Sequence, residues 1–385
     1  MTPPFTQQSL PVAAPARVLA CGAYLKNSAC LLDGARVLWS PLHGDLSLPE
    51  ACAALEASVA ALVAAAAGPI AAVAHDLHPD FPSTRVALAW ARRLGVPAIA
   101  VQHHHAHLAV VQAEQGLSDT PLVGLALDGV GLGADGTAWG GELLRLQGSG
   151  CARLAHLPRL ALPGGDAAAR EPWRLAAAVL QALGRGDQIP ARLGPAVGDT
   201  AARTVQQMLA RDLRCPPSSA AGRWFDAAAG VLGLSVRQSA EAEAAVALER
   251  AATTWLATHP MPPLPSPSLD LLPLVGALFD EPDAGRGAAI FHGALIDGLV
   301  AAAAEAARRH GSRRVLLGGG CFFNRLLGRG VAEGLGARGL AVLRPQQLSC
   351  GDAGLALGQA WAAALQWADT ADATAARRQP LTMEA

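Results

Sequence analysis

Several residue types are nearly missing from this 385-residue chain, and each shortage narrows what the protein can be. Lysine occurs once (Lys26), tyrosine once (Tyr24) and asparagine twice (Asn27 and Asn324). The seven cysteines, at 21, 30, 52, 151, 215, 321 and 350, form no Cys-x-x-Cys pair. An odd, scattered set argues against a disulfide framework and a zinc finger, and for reduced thiols that act as small core hydrophobes. There is no basic excess: a formal charge of −1 argues against an obligatory nucleic-acid surface. No uninterrupted apolar run reaches membrane-spanning length, because Ala-rich stretches such as 51–73 carry Glu, Gly and Pro. The opening Met-Thr-Pro-Pro lacks the basic-then-apolar order of a secretory signal. The expectation is a cytoplasmic protein with neither a membrane nor a nucleic-acid partner.

What is present is Ala, Leu and Val in short segments broken by Gly and Pro, with hydrophobic residues forming half of the chain. At this length two lobes are expected. Arginine supplies almost all the positive charge, a profile that suggests a source with strong GC bias. Residues that survive such a bias should stand where Arg, Gln or Phe would not serve. A lysine ammonium is a compact point charge, whereas guanidinium is a planar fork. Three of the four rare residues fall within 24–27, and the fourth, Asn324, lies shortly after Gly318-Gly319-Gly320.

Residues 1–16 read as a flexible N-terminus. Segments 17–22, 29–32 and 36–39 read as strands, with Asp33-Gly34 turning between the last two. Helical spacing over 50–66, a buried strand at 70–76, a helix at 83–94 and a strand at 97–102 complete an alternating α/β lobe over 17–120. A second lobe, 121–385, opens on strands 122–127 and 137–146. It continues through helices near 166–184, 196–212, 222–233 and 240–258, then a Pro-rich connector at 259–273. Helix 288–309, strand 314–317, strand 341–343 and a long helix from 353 close the chain. A ligand cleft is expected between the lobes.

The sharpest local signal is Val101-Gln102-His103-His104-His105-Ala106-His107, which follows a strand and opens a helix. His103 and His107 are four apart, hence on one helical face, and can share a metal ion. His104 and His105 point elsewhere and suit supporting or capping roles. Asp352 offers a carboxylate ligand from the second lobe, and Asp128, just past a strand end, is the next candidate. Two histidines and a carboxylate suit Fe(II) or Zn(II). Cys350 is a better buried thiol than ligand. Three glycine turns, at 128–131, 317–320 and 164–166, could hold phosphate through backbone N–H groups. None carries the Walker lysine or the spaced Rossmann glycines. Asp226 lies at mid-helix, where a carboxylate is solvated or capping, or binds ribose hydroxyls. The segments REPWR (170–174), HDLHP (75–79) and His43-Gly44-Asp45 mix charge and rings without a role that their residues alone define.

In order, GAYLKN (22–27), HGDL (43–46), HDLHPDFPSTR (75–85), VQHHHAH (101–107), LALDGVGLGADGTAWGGE (125–142), GGDAAAREPWR (164–174), SSAAGRWFDAAAGVLG (218–233), GGGCFFN (318–324) and GDAGLALGQA (351–360) resemble the C-terminal region of the hydrogenase maturation carbamoyltransferase family HypF. A more distant likeness joins this region to threonylcarbamoyl-tRNA enzymes and antibiotic O-carbamoyltransferases. The resemblance implies a two-lobed α/β fold of the actin-like ATPase class. It implies that His103, His107 and Asp352 bind a divalent metal. Gly222, Asp226 and Asn324 would contact the nucleoside, and Asp128, Gly129, Gly131, Gly319 and Gly320 the nucleotide phosphates. Lys26 matches a family lysine; with His104 or His105 as base, it forms the expected catalytic set. The implied reaction moves the carbamoyl group of carbamoyl adenylate to the terminal cysteine of HypE. The family's acylphosphatase, zinc-finger and YrdC-like domains find no place in this sequence, so it resembles the transfer module alone. A YrdC-domain protein or full-length HypF would then supply the adenylate. Gly318 stands for the usual Ser, Phe323 for Gln, and Ala240-Glu241-Ala242 for Tyr-Glu-Gly. O-carbamoylation of a small molecule and non-catalytic nucleotide-dependent docking on HypE are the alternatives. The HDLHP and WGGE segments disfavour tRNA modification.

Overall fold

The computed structural model describes residues 5–117 and 120–378. Its first sheet holds β1 (Thr6–Ser9), β2 (Val18–Ala20), β3 (Cys30–Asp33), β4 (Arg36–Trp39), β5 (Ala72–Asp76) and β6 (Ala98–Val101), in the order β1-β4-β3-β2-β5-β6. Strands β2, β3 and β4 form an antiparallel meander. Its last turn is a two-residue loop in which Gly34 takes φ +60, the backbone that tight hairpins demand and glycine adopts without strain. Strands β5 and β6 extend the sheet in parallel. Helices α1 (Pro49–Ala64) and α2 (Pro82–Leu94) cover one face, where Leu55, Val59 and Leu62 meet Leu19, Leu31 and Val73. Helix α3 (His103–Gln115) follows β6 after a single residue, Gln102.

The second sheet contains β7 (Leu122–Leu132), β8 (Ala138–Gln147), β10 (Leu160–Ala161), β11 (Pro217–Ser218), β12 (Arg314–Gly318) and β13 (Ala341–Leu343). Their order is β10-β11-β8-β7-β12-β13, and β9 (Gly150–His156) pairs with β8 off that path. A helical group packs on its outer face: α4 (Asp166–Arg170), α5 (Pro172–Ala182), α6 (Ile189–Val197), α7 (Asp199–Ala210), α8 (Ala221–Val231), α9 (Glu243–Leu256), α10 (Leu272–Ala277), α11 (Ala284–Arg309) and α12 (Arg325–Gly336). Helix α11 is long and apolar enough to cross a membrane, but two-thirds of that span is buried inside the protein, as befits a core helix. Its N-terminus is fixed by Asp283, whose carboxylate accepts from the amides of Gly285 and Arg286.

The final helix, α13 (Leu355–Arg378), does not stay with the second sheet. Its Leu357, Ala360, Trp361 and Ala364 share a core with Val18, Ala20 and Cys30 of the first sheet and with Ala106 and Ala109 of α3. Helix α3 is therefore packed on both sides. Alanines line the side toward α13, while Leu108 and Val111 meet Leu122, Ala126 and Leu316 of the second sheet.

The N-terminus also departs from the flexible segment expected over 1–16. Thr6–Ser9 pairs antiparallel with β4, and Leu10, Ala14 and Ala16 are buried. The cause is Gln8, whose amide accepts from Trp39 Nε1 and donates to Glu114, each at 3.0 Å. A polar-looking strand is held at the sheet edge by side-chain bonds that composition does not reveal.

Candidate functional site

Both sheets aim their strand ends at the N-terminus of α3. Gln102 caps that helix: its carbonyl oxygen accepts from the His105 amide at 2.9 Å, and its NH2 donates to Leu132 O at 3.0 Å. The cap fixes where the helix starts, and with it the direction of the imidazoles one turn in. In β5, Asp76 lies beside Val101 of β6. From there its carboxylate reaches His103 Nδ1 at 2.7 Å, while its other oxygen accepts from the His78 amide at 2.9 Å. This gives the HDLHP segment a role. Asp76 orients His103 so that Nε2 faces the cleft, the arrangement that supports metal-binding imidazoles.

On the opposite side, the β7–β8 ladder slips between Leu127 and Gly131. The slip frees Asp128 to turn toward α3. Asp128 Oδ2 lies 2.9 Å from His107 Nε2 and 3.3 Å from His103 Nε2. Its Oδ1 accepts from the amides of Gly129 at 2.8 Å and Gly320 at 3.3 Å. Asp352, in the turn before α13, brings Oδ1 to 3.4 Å from His107 and 3.5 Å from His103. One ligand atom from each of His103, His107, Asp128 and Asp352 falls within 4.8 Å of every other.

The charges are mutually dependent. Burial opposes protonation of His103, yet the Asp76 charge, with bonds to Asp128 and Asp352, carries its pKa well above the usual value. Burial likewise opposes charge on His107, and bonds to the same two aspartates raise it. Burial would raise both carboxylates, but the two imidazoles hold Asp128 far below its ordinary range and Asp352 at about 2. Two carboxylates this close need positive charge between them. Two imidazole nitrogens and two carboxylate oxygens that converge, with one imidazole already oriented from behind, fit a divalent ion such as Fe(II) or Zn(II). Asp128, expected chiefly on the phosphate side, is thus placed in the ligand cluster by the bulge.

His104 and His105 do not suit the role of base. Burial pushes His105 down to about 4; burial and the neighbouring charge of His103 hold His104 well below the usual value. Imidazoles so weakly basic are poor proton acceptors at neutral pH. His104 instead packs between His103 and Trp139, its Nδ1 2.9 Å from the Gln102 side chain.

The glycines act as clearances around the cluster. A Cβ on Gly131 would meet His103 and His104 within 3 Å, and one on Gly222 would lie 2.9 Å from Gly129 Cα. The first turn of α8 thereby touches the 128–131 loop. Gly319, at φ +99, donates to Cys350 O at 2.8 Å and ties the 318–320 loop to the segment that carries Asp352. Gly318, where the family pattern has Ser, lies against the His107 carbonyl with room for no Cβ, and Phe323 stands exposed beside Gly351.

Asp226 and Asn324 are less free than expected. Asp226 is buried in α8, accepting from Gln238 at 3.0 Å. Arg223 lies 2.9 Å from its other oxygen without hydrogen-bond geometry. Asn324 caps α12 through its carbonyl oxygen and meets His292 Nε2 through its NH2. Lys26 is half-exposed and pairs with Glu241 at 2.8 Å, and the negative charges of Asp352 and Asp128 both act on its ammonium.

The sequence pattern described as "Carbamoyltransferase, Kae1-like Domain, second subdomain" matches residues 124–359, and that of the "HypF Kae1-like domain" matches 13–114. A carbamoyltransferase HypF homolog of Cupriavidus necator is 58% identical over 373 residues, which cover 93% of this chain and 94% of that protein. The chain belongs to the HypF carbamoyltransferase family. Carbamoyltransferase HypF2 of the same organism is 48% identical over 377 residues, 90% of this chain and 46% of that one. HypF of T. kodakarensis has a TM-score of 0.84 at 28% identity, covering 94% of this chain and 49% of its own. Full-length HypF in a phosphate- and nucleotide-bound form has 0.81 at 27%, covering 93% and 47%. The chain thus spans nearly all of one HypF relative and about half of the others, and it has the two-lobed α/β fold of the actin-like ATPase class shared by HypF.

Proposed function

We propose that this HypF-family chain transfers the carbamoyl group of carbamoyl adenylate to the C-terminal cysteine of HypE in the cytoplasm. The product would lead to the cyanide ligand of [NiFe] hydrogenase. The observation that carries the reading is the convergence of His103, His107, Asp128 and Asp352 beside the 128–131 and 318–320 glycine loops. A relative solved with phosphate and nucleotide bound supports the nucleotide half of it.

In the proposed step the HypE thiolate sulfur bonds to the carbamoyl carbon. The bond from that carbon to the phosphate oxygen breaks, and AMP leaves with the electron pair. Negative charge builds on the carbamoyl oxygen and then on the phosphate, so fixed positive groups lower the barrier. A divalent ion bound by the four ligands would supply Lewis-acid stabilisation. The 128–131 and 318–320 loops border the same space. The Gly129 and Gly320 amides already serve Asp128 and the Gly319 amide serves Cys350 O, so the expected phosphate contacts of these three need the loops to release them. Lys26, paired with Glu241, brings an ammonium to the mouth. Asp226 and Asn324 lie on the nucleoside side, with Gly222 leaving room for the chain to approach. The adenylate, formed from carbamoyl phosphate and ATP, would come from a YrdC-domain protein or full-length HypF.

The test supplies carbamoyl adenylate and HypE to the purified protein and reads HypE by intact-mass spectrometry. One added carbamoyl group on the terminal cysteine is expected. Unchanged HypE in the presence of authentic adenylate and Fe(II) or Zn(II) sinks the reading.

A further inference from the structure

The connection from β2 to β3 carries the only lysine of the chain, and it is tied down more heavily than so short a loop requires. The Gly22 amide donates to Gln359 Oε1 at 2.9 Å, and the Gly22 carbonyl accepts from Gln359 Nε2 at 3.2 Å. The Ser28 hydroxyl donates to Ala353 O at 2.8 Å, immediately after the candidate ligand Asp352. Both ends of the loop are therefore registered on the element that places Asp352.

Inside the loop the organising residue is Asn27, which is fully buried. Its NH2 donates to the carbonyls of Cys21 at 2.9 Å and Ala23 at 2.7 Å. Its Oδ1 meets His43 Nδ1 at 2.8 Å, and His43 Nε2 meets Ser58 Oγ at 2.8 Å on α1. The Asn27 backbone pairs with the 43–44 segment, its amide donating to Gly44 O at 2.9 Å and its carbonyl accepting from the His43 amide at 2.7 Å. Only an amide side chain can donate twice and accept once in this way; a carboxylate would face two carbonyls with no hydrogen to offer. The adjoining Lys26 takes φ +47, a left-handed backbone that side chains rarely adopt. Such a conformation persists where its surroundings over-determine it. From it the ammonium extends to Glu241, 215 residues further along the chain.

We infer that Asn27 is a positioning residue, holding the 22–28 loop so that Lys26 presents its charge to a phosphate oxygen of the donor, with Glu241 as the counter-ion that this oxygen displaces. The inference rests on the carbamoyl-transfer reading and adds to it the device that aims the lysine. It also explains why one lysine and one of two asparagines stand side by side in an arginine-rich chain: one supplies the compact charge, the other the three-way anchor.

One lysine gives one signal. Protein labelled with ¹³Cε-lysine should show a single resonance, titrated with inorganic phosphate in the wild type and in Asn27→Ala. Calorimetry gives phosphate affinities for these two and for Lys26→Met and the double variant, which contain no lysine. Lys26→Met and Asn27→Ala should each weaken phosphate binding roughly ten-fold, and the double variant should be no weaker than Lys26→Met. The lysine signal of Asn27→Ala should move toward the free amino-acid position and lose its phosphate-dependent shift. Should Asn27→Ala fail to fold, His43→Ala removes one of the three anchors and should move signal and affinity the same way by a smaller amount. Wild-type phosphate affinity and an unchanged lysine response in a folded Asn27 or His43 variant overturn the inference while leaving the carbamoyl-transfer reading intact. Multiplicative losses in the double variant also overturn it. No loss in Lys26→Met removes both the inference and the role of Lys26 in the proposed reaction.

Discussion

A carboxylate in the middle of a buried helix face must justify its charge against desolvation, and Asp226 does so only in part. Burial raises its pKa to about 6 from an ordinary 3.8, against the opposing effects of Arg223 and Gln238. Below pH 3.8 the group is neutral in both folded and unfolded chains. Between that point and about 6 the folded chain keeps a proton that the unfolded chain has lost, so stability falls as pH rises. Above pH 6 the difference is constant. Asp226→Asn should therefore be increasingly favoured over wild type as pH rises from 4 to 6, reaching on the order of 2–3 kcal/mol and then levelling. Denaturant titrations of both proteins at several pH values measure this; a pH-independent difference rules it out. That His103 and His107 share one helical face was legible in the sequence because i, i+4 spacing is local, whereas Asp352 was joined to them through the family resemblance. Asp76 was not, since it meets His103 only because β5 and β6 are neighbours in register. The poor basicity of His104 and His105 also depends on burial, which the run of four histidines does not disclose.

Elements place these residues through two close approaches. The slip in β7 turns Asp128 out of the ladder. The second is the crossing of α13 over α3 at Gly358, where an added Cβ would sit inside the van der Waals shell of the Ala106 carbonyl. Ala106 lies between His105 and His107, while Gly358 stands in the first turn of α13, directly after the turn that carries Asp352. Gly358→Ala must push the two helices apart, since neither atom belongs to a flexible side chain. The expected cost is about 1–3 kcal/mol, from overpacking of a tight contact. If the cluster binds Zn(II), the same change should weaken binding, because Asp352 moves relative to His107. Thermal unfolding and zinc titration measure the two effects. A variant of wild-type stability shows that the crossing is looser than the geometry indicates. The alternating strands and helices were readable from period and turn residues, and the positions of α5, α8, α9 and α11 follow that pattern closely. Strand β1 was not, because Gln8 holds its place through Trp39 and Glu114, residues distant in the chain.

At the scale of the molecule, the chain is more interlocked than a division at residue 120 suggests. Helix α13 comes last in sequence but completes the core against β2, β3 and α3, with Leu355, Leu357 and Trp361 at most 1% exposed. Glu114, at the end of α3, accepts from the amides of 346–348 and adds a second tie between early and late segments. A fully buried large apolar side chain contributes about 1.5–3 kcal/mol, and a whole domain is stable by only about 5–15 kcal/mol. Removing three such side chains, along with the alanines that pack beside them, takes away most of that margin from the first sheet. A chain ending at residue 350 should therefore lose protection in β2, β3, β5 and α3 as well as the Asp352 ligand, although the deletion is remote from those strands in sequence. Hydrogen exchange of the full and shortened chains reads this directly: in the full chain, α13 and β2 should exchange through one shared opening. A shortened chain whose β2 and β5 amides remain protected as in the full chain would mean that the first lobe folds without its last helix. The cluster would then be assembled by docking two finished lobes, rather than by a single cooperative fold that places His103, His107 and Asp352 together.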